Sequence, residues 1–149
     1  MQIKVKKLRE NAQLPFKATE GSAGADLFAL LEEDAVIKGE SQLMIPTGIA
    51  AEIPNGHVGL VFIRSSVGKR GVALANGVGV IDADYRGEVH ISLINHSKND
   101  FIIKSGDRIA QLVIMPICAA EYSFDENLSD TERGAGGFGS TGTSGSAGK

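Results

Sequence analysis

The chain has 149 residues, of which 42% are hydrophobic and 22% charged, and its 15 basic and 18 acidic residues give a formal charge of -3. This length predicts one domain with its own core, and the composition argues against bulk disorder. The near-balanced charge excludes a broad cationic surface for duplex nucleic acid or an anionic membrane. A single cysteine, Cys118, excludes an internal disulfide and a cysteine-built zinc site.

The N-terminal segment lacks the apolar run of a signal peptide, and no stretch approaches the roughly 20 apolar residues of a membrane span. We therefore expect a soluble, cytoplasmic protein with no membrane and no nucleic-acid partner; in a eukaryote the nucleus is an alternative compartment.

Short apolar runs separated by turn-forming residues predict an all-β fold. In chain order the predicted strands are residues 3–5, 26–29, 49–53, 58–63, 78–81, 88–95, 101–103 and 108–115. One short helix is predicted at residues 65–70, with serine as its N-cap. Many short strands with close turns favour a sandwich or barrel over a parallel sheet.

Side-chain alternation assigns faces to the two longest predicted strands. In 88–95, one face carries Val89, Ile91 and Leu93. In 108–115, one face is wholly apolar and the other holds a lone amide, Gln111, which alone reads as a core amide bonded to backbone. Arg108 lies three residues away, so a flat strand separates the two side chains and only a bulge or strong twist would join them.

Two segments could carry chemistry around charged residues. Asp82-Ala83-Asp84-Tyr85-Arg86-Gly87 follows an apolar strand; in a strand both carboxylates would share a face and bind a cation or act as a general base. A solvated turn is the alternative. The run 64–71 (R-S-S-V-G-K-R-G) suits an anionic oxygen through backbone N–H groups, arginine and serine, or is an exposed loop.

The composition shifts near Asp130, and residues 133–149 hold seven of the 19 glycines. We expect a β domain at 1–129 and a flexible C-terminal arm at 130–149. Phe138 in this arm could stack on a base. A disordered tail and an RGG-like RNA-binding tail are the alternatives.

Five segments in order, A-G-A-D-L, R-S-S-V-G-K-R-G, N-G-V-G-V-I-D-A-D-Y-R-G, G-D-R-I-A-Q-L and R-G-A-G-G-F-G-S-T-G, resemble the trimeric dUTP diphosphatase (dUTPase) family across residues 3–142. The resemblance implies a β jelly roll and a homotrimer with active sites between subunits, each closed by a neighbour's arm. It also implies hydrolysis of dUTP to dUMP and pyrophosphate, which keeps uracil out of DNA and supplies dUMP for dTMP synthesis.

The resemblance further implies roles for single residues. Asp82 would be the general base for water attacking the α-phosphorus, and Asp26 would lie near the water shell of a Mg²⁺ cofactor. The phosphates would be held by Arg64, Ser65, Ser66, Gly68 and Gln111, and from the arm by Arg133, Gly139, Ser140 and Thr141. Uracil would be recognised by Asn76, Gly79, Val80 and Ile81 and covered by Phe138, while Tyr85 under the deoxyribose would exclude a 2′-hydroxyl.

Two rival functions remain. A dCTP deaminase has the same fold and an R-S-S element but uses a glutamate near the base; Asp82 and the glycine-rich arm favour hydrolysis. A non-catalytic jelly-roll trimer that binds nucleotides or a protein partner would lack Asp82 or the arm residues, and this sequence has both.

Overall fold

The computed structural model describes residues 1–137. The chain divides into two units, Met1–Ala119 and Ala120–Lys149. The first unit holds the strands and the helix: β1 (Lys4–Lys7), β2 (Ala25–Phe28), β3 (Ala35–Ile37), β4 (Gln42–Pro46), β5 (Ile49–Glu52), β6 (His57–Ile63), α1 (Ser65–Gly68), β7 (Val72–Leu74), β8 (Gly79–Ile81), β9 (His90–Asn95), β10 (Phe101–Ile103) and β11 (Arg108–Pro116).

The strands form four antiparallel sheets. The largest has the order β2-β11-β6-β8, a second has the order β4-β9-β7, and β1-β5 and β10-β3 are two-stranded. Within residues 1–137 the connections between strands contain only one short helix, so this part of the chain has no crossover helices of the kind that parallel strands require. The predicted all-β class is confirmed.

The core lies where the inward faces of these strands meet. The predicted face of β9 is confirmed, since Ile91 and Leu93 are fully buried and Val89, just before the strand, is buried with them. The largest fully buried side chains are mostly branched aliphatic: Leu27, Ile37, Ile45, Ile49, Ile53, Ile91, Leu93, Ile103 and Ile109. Such residues suit the pleated, half-buried surface of a sheet.

Three strands were not predicted from the sequence: β3, β4 and β7. Two of them carry a large apolar side chain on the solvent side, Val36 in β3 and Met44 in β4, which disrupts the expected alternation. The helix is also shorter than predicted. Arg64 is its N-cap residue, in extended conformation and without a side-chain cap, so the predicted serine N-cap was wrong.

Within the second unit, residues 120–137 contain no strand or helix. Arg133 Nε donates a hydrogen bond of 2.8 Å to the Gly136 carbonyl, which closes a local turn. The arm residues Phe138, Gly139, Ser140 and Thr141 lie outside the described residues, and the predicted boundary at residue 130 stays a prediction. No helix within residues 1–137 is long and apolar enough to cross a membrane.

Candidate active site

The first of two polar clefts lies where β2, β11 and the end of β6 meet. We call it the arginine cleft; it encloses about 290 Å³. Its lining includes Gly24, Asp26, Arg64, Ser65 and Gln111. Four of these residues were assigned to the site from sequence, so the fold brings together residues from three separate motifs.

Asp26 organises the arginine cleft. Its carboxylate forms one ion pair with Arg64, Nε to Oδ1 at 2.9 Å, and a second with Arg108, Nη1 to Oδ2 at 3.1 Å. The Asp26 side chain is only 14% exposed, so solvent screens these contacts less than it would on an open surface. Arg64 Nη1 also donates to the Arg108 carbonyl at 3.1 Å. The two guanidinium groups are therefore held in place before any ligand arrives.

A β-bulge in β11 explains how Arg108 reaches the Asp26 carboxylate although Gln111 is the residue paired with Asp26 in the ladder. Against β2, Arg108 pairs with Phe28 and Gln111 pairs with Asp26, with a register shift between Arg108 and Ala110. The extra residue turns Arg108 toward Asp26, which a flat strand would not allow. Arg108 thus contacts a lining residue of the cleft without lining it itself. The sequence interpretation did not include Arg108 in the site, and its signal was the three-residue spacing to Gln111.

Gln111 is weakly tied to the protein. Its Nε2 lies 3.5 Å from the Ile63 carbonyl, at the outer limit of a hydrogen bond. A Cβ at position 24 would lie 2.7 Å from Gln111 Oε1. Gly24 therefore provides the space in which this amide faces the cleft.

The remaining residues of the second motif lie on α1. Ser65 and Ser66 begin the helix and are exposed, and Gly68 ends it. Ser65 lines the arginine cleft, whereas Ser66 and Gly68 do not.

The second cleft, of about 310 Å³, lies beside β8 and is called here the Tyr85 cleft. It brings together all the third-motif residues that the sequence interpretation selected: Asn76, Gly79, Val80, Ile81, Asp82 and Tyr85. Met44, Glu88 and His90 also line it and were missed. They come from β4 and the start of β9, whose proximity to β8 the sequence does not reveal.

Asp82 and Asp84 do not share a strand face, because β8 ends at Ile81. The chain turns there, with Tyr85 N–H donating to the Asp82 carbonyl at 3.2 Å. Arg86 Nη1 stabilises the turn by donating to the carbonyls of Ala83 at 2.6 Å and Tyr85 at 2.8 Å. Of the two carboxylates only Asp82, which is exposed, lines the cleft.

Tyr85 lies over a glycine. A Cβ at position 87 would lie 2.6 Å from Tyr85 Cζ and closer still to the hydroxyl, so only glycine fits under the ring. The Tyr85 hydroxyl donates to the Glu88 carbonyl at 3.0 Å. Tyr85 is 44% exposed, so part of this residue remains available to a ligand.

Glu88 is the most strongly bonded carboxylate near the Tyr85 cleft. Its Oε1 accepts from the Gly48 N–H at 2.7 Å, and Arg9 Nη2 lies 3.2 and 3.0 Å from its two oxygens. Burial raises the pKa of Glu88, but the Gly48 N–H, Arg9 and His90 together outweigh burial and hold this pKa below its usual value.

Within one chain the two clefts are far apart. Ile81 pairs with Gly59 in the β6–β8 ladder, so Asp82, the next residue, lies near the Val58 end of β6. Arg64 follows the other end of β6, six residues from Val58. At about 3.3 Å per residue, roughly 20 Å separates Asp82 from Arg64 along the strand. A single chain therefore does not bring the candidate base to the candidate phosphate ligands.

The described residues contain no group of three or more His, Cys, Asp or Glu side chains that could enclose a metal ion. Asp26 already has both oxygens paired with arginine. Each of these oxygens has a second lone pair, so Asp26 could still accept a hydrogen bond from a water of a Mg²⁺ ion that is otherwise held by water and substrate phosphates.

Comparisons with known proteins point to one family. The dUTPase family model matches residues 10–142. The chain is 47% identical over 148 residues to the deoxyuridine 5'-triphosphate nucleotidohydrolase of Desulfitobacterium hafniense, covering 97% of this chain and 98% of the relative. It is 49% identical to the one from Treponema denticola, over 91% of this chain and 95% of the relative.

Two solved structures share the fold. A point mutant of the Staphylococcus bacteriophage 80alpha dUTPase with dUpNHpp gives a TM-score of 0.87 at 31% identity, covering 95% of this chain and 99% of that one. A mutant dUTPase from phage phi11 of S. aureus, described as coordinating a structural Mg(II) ion, gives 0.77 at 29% identity, covering 85% and 98%. The predicted jelly-roll-like fold and nucleotide-hydrolase activity are confirmed, and this chain belongs to the dUTPase family.

Proposed function

We propose that this protein hydrolyses dUTP to dUMP and pyrophosphate in a homotrimer, with each active site assembled from the Tyr85 cleft of one subunit and the arginine cleft of another. The observation that supports this proposal most directly is the separation of roughly 20 Å between Asp82 and Arg64 along β6 in one chain. In the arginine cleft the carboxylate of Asp26 is paired with two arginines, and no arginine or lysine is among the residues that line the Tyr85 cleft.

The arginine cleft binds the triphosphate. Asp26 neutralises one of its two guanidinium groups, so the cleft keeps a net positive charge for an anion. Arginine donates to phosphate oxygens in fixed geometry, and Gln111 and the Ser65 hydroxyl add neutral donors. Ser66 and Gly68 shape the loop at the start and end of α1.

The Tyr85 cleft binds the nucleoside. β8 is an edge strand of its sheet, so the backbone N–H and C=O groups on its free side are available to the polar edge of uracil. Alternate residues of an antiparallel strand direct these groups to the free side, so they come either from Val80 or from Gly79 and Ile81, with the Asn76 side chain beside them. Cytosine would place a donor against a donor, at a cost of about 1–3 kcal/mol for the unsatisfied group. Tyr85 lies under the deoxyribose, where a 2′-hydroxyl would not fit.

Asp82 acts as the general base. Its exposed carboxylate at the mouth of the cleft takes a proton from the water that attacks the α-phosphorus. A bound Mg²⁺ would withdraw charge from the phosphates, so that a weak base suffices. Asp26 would contact that ion through water.

The arm completes the site. Arg133, Gly139, Ser140 and Thr141 hold the distal phosphates, and Phe138 covers the uracil and excludes water. A chain truncated before Arg133 should still fold and assemble but should lose most of its turnover of dUTP. Normal hydrolysis by that truncated chain would refute the role given to the arm.

Subunit complementation tests the shared site. Asp82→Asn and Arg64→Gln trimers are each expected to be nearly inactive. When the two are mixed and allowed to exchange subunits, each site needs an intact Asp82 from one chain and an intact Arg64 from another. Random assembly gives this combination in roughly a quarter of the sites, so about a quarter of wild-type activity should return.

Each variant mixed with itself serves as the control and should stay inactive. A double variant, Asp82→Asn with Arg64→Gln, is mixed with wild type as a further control. This mixture measures how far activity falls when intact chains are only diluted by inactive ones. Failure of the mixed single variants to recover activity, after subunit exchange has been verified by mass, would contradict the shared site.

The deaminase alternative is disfavoured by the state of Glu88. This glutamate lines the Tyr85 cleft, but its carboxylate is occupied by Gly48 N–H and Arg9. Product analysis separates the reactions, because a deaminase would convert dCTP to dUTP without releasing pyrophosphate. We place the hydrolysis in the cytoplasm, where it lowers dUTP and supplies dUMP.

A further inference from the structure

The turn that follows β8 carries Asp82 and is anchored at its two ends. Ile81 is paired within the β6–β8 ladder on one side, and the Val89 N–H donates to the Ile49 carbonyl at 2.8 Å on the other. The Asp82 carboxylate itself accepts no hydrogen bond from residues 1–137. Its direction is therefore set by the backbone of the turn and not by a contact of its own.

Arg86 supplies two of the three hydrogen bonds inside this turn. Its Nη1 donates to the Ala83 carbonyl at 2.6 Å and to the Tyr85 carbonyl at 2.8 Å, one bond for each of the two hydrogens on that nitrogen. The third bond, from the Tyr85 N–H to the Asp82 carbonyl, is 3.2 Å long, at the upper end of the usual range.

No other group replaces the two contacts of Arg86. Within the part of the chain that the structure describes, neither the Ala83 nor the Tyr85 carbonyl accepts a second hydrogen bond. Without the guanidinium, the turn would keep only the long bond between the Tyr85 N–H and the Asp82 carbonyl. The peptides after Ala83 and after Tyr85 would then be free to rotate, which would weaken that last bond as well.

The two functional side chains on the turn depend on it to different degrees. Tyr85 has anchors of its own, because its hydroxyl donates to the Glu88 carbonyl at 3.0 Å and its ring packs over Gly87. Asp82 is exposed and has no comparable contact within residues 1–137. Loosening of the turn should therefore displace the carboxylate more than the ring.

We propose that Arg86 is a positioning residue for Asp82: it closes the turn that aims this carboxylate at the attacking water. The inference rests on the proposed role of Asp82 as the general base. Arg86 does not line the Tyr85 cleft and instead lines a separate cavity of about 300 Å³ together with Lys4 and Lys6. Arg86 therefore acts on turnover and not on nucleotide binding.

The test separates turnover from binding in the full-length Arg86→Met trimer. Its kcat for dUTP should fall about tenfold or more, because a displacement of about 1 Å in a reacting group can cost up to about 10²-fold. Its Kd for a non-hydrolysable dUTP analogue and its kcat/KM ratio for dUTP over UTP should keep their wild-type values. Arg86→Lys, which retains a charged donor but loses the guanidinium geometry, should give an intermediate kcat.

Lys6→Met is the matched control for loss of charge. Lys6 is an exposed cation that lines the same cavity as Arg86 but makes no contact with the turn, so this variant should keep the wild-type kcat. An equal loss of kcat in both variants would assign the effect to charge and overturn the proposal. An unchanged kcat in Arg86→Met overturns it too, as does a loss of analogue binding as large as the loss of kcat.

A double-mutant cycle tests whether Arg86 acts through Asp82. Adding Arg86→Met to Asp82→Asn should lower the residual kcat by less than about twofold, because the carboxylate that the turn positions is already gone. A full additional loss would show that Arg86 acts by another route. Near-normal turnover of Asp82→Asn alone refutes the general base itself. An inactive Asp82→Asn with a fully active Arg86→Met refutes only the positioning role of Arg86.

Discussion

The arginine cleft and the Tyr85 cleft are similar in size but built in different ways. In the arginine cleft, charged side chains from three strands or strand ends bind one another, with Asp26 between Arg64 and Arg108. In the Tyr85 cleft, the key elements are the edge backbone of β8, an exposed Asp82 and a ring over a glycine. The first is organised by electrostatics, whereas the second is organised by backbone geometry.

This difference suits two different tasks. A triphosphate carries high charge and many equivalent oxygens, so fixed cations bind it strongly but select poorly among nucleotides. A nucleoside differs from its competitors by one amine or one hydroxyl, and discrimination at that level requires fixed donors, acceptors and steric limits. We therefore expect changes in the arginine cleft to affect all nucleotides alike, and changes in the Tyr85 cleft to alter selectivity.

The largest effect is expected from Asp82→Asn. The amide keeps the size of the side chain but cannot accept the proton, so kcat should fall by about 10³-fold or more while a non-hydrolysable dUTP analogue still binds. Single-turnover kinetics and calorimetric titration with the analogue measure the two quantities. Near-normal turnover would show that Asp82 is not the general base. Asp84→Asn, in the same turn but outside the cleft, is the matched control and should stay close to wild type.

Gly87→Ala should damage the Tyr85 cleft specifically. The new Cβ would overlap the Tyr85 ring and force it away from its present position. We expect dUTP over UTP selectivity to fall about tenfold, with loss of kcat/KM for dUTP. Steady-state kinetics with both nucleotides check this. A variant that keeps wild-type selectivity would show that the ring position is irrelevant to sugar choice.

Gly24→Ala makes the same chemical change in the arginine cleft. Its Cβ would lie 2.7 Å from Gln111 Oε1 and would displace this amide. KM should rise several-fold for dUTP, UTP and dCTP alike, because the phosphates are common to all three. The same steady-state assay measures the effect, and a change in the ratios between nucleotides would contradict the division of tasks between the clefts.

The smallest effect is expected in the pH dependence of thermal stability, through the carboxylate of Glu88. The pKa of Glu88 is lower in the folded chain than its usual value, so its stabilising contribution is complete above about pH 5 and declines as the pH falls through the lowered pKa. Glu88→Gln should lower Tm by about 2–4 °C at pH 7, and by less at pH 3.5. Thermal unfolding followed by circular dichroism measures the difference. An equal loss of Tm at pH 7 and at pH 3.5 would contradict an ionic origin of the stabilisation by Glu88.

Local patterns in the sequence predicted most of the β structure. Alternation identified the buried face of β9, and the turn-forming residues separated the strands correctly. The pattern failed at β3 and β4 because Val36 and Met44 put large apolar groups on exposed positions. Whether a large apolar side chain is tolerated at such an exposed position depends on what packs against the outer face of the sheet. A local sequence pattern contains no information about that packing.

The composition of the site was easier to predict than its assembly. The residues selected from the third motif all line the Tyr85 cleft, because they lie within one short segment. The relative placement of Arg108 and Gln111 depends on a β-bulge in β11, and the pairing of β11 with β2 sets the register of that bulge. The contribution of Glu88, Arg9 and His90 depends on contacts between residues as far as 79 positions apart. Long-range pairing of this kind is decided by the whole fold.

The antiparallel pairing of β6 with β8 has a consequence for how activity responds to dilution. In the proposed trimer the ladder holds Asp82 and Arg64 at opposite ends of a strand pair, so a subunit that dissociates is expected to lose half of every active centre it belonged to. Specific activity is then governed by mass action: below the assembly constant, turnover per chain declines with concentration while the circular dichroism spectrum stays native. A small molecule that wedges between subunits would inhibit this enzyme without resembling a nucleotide.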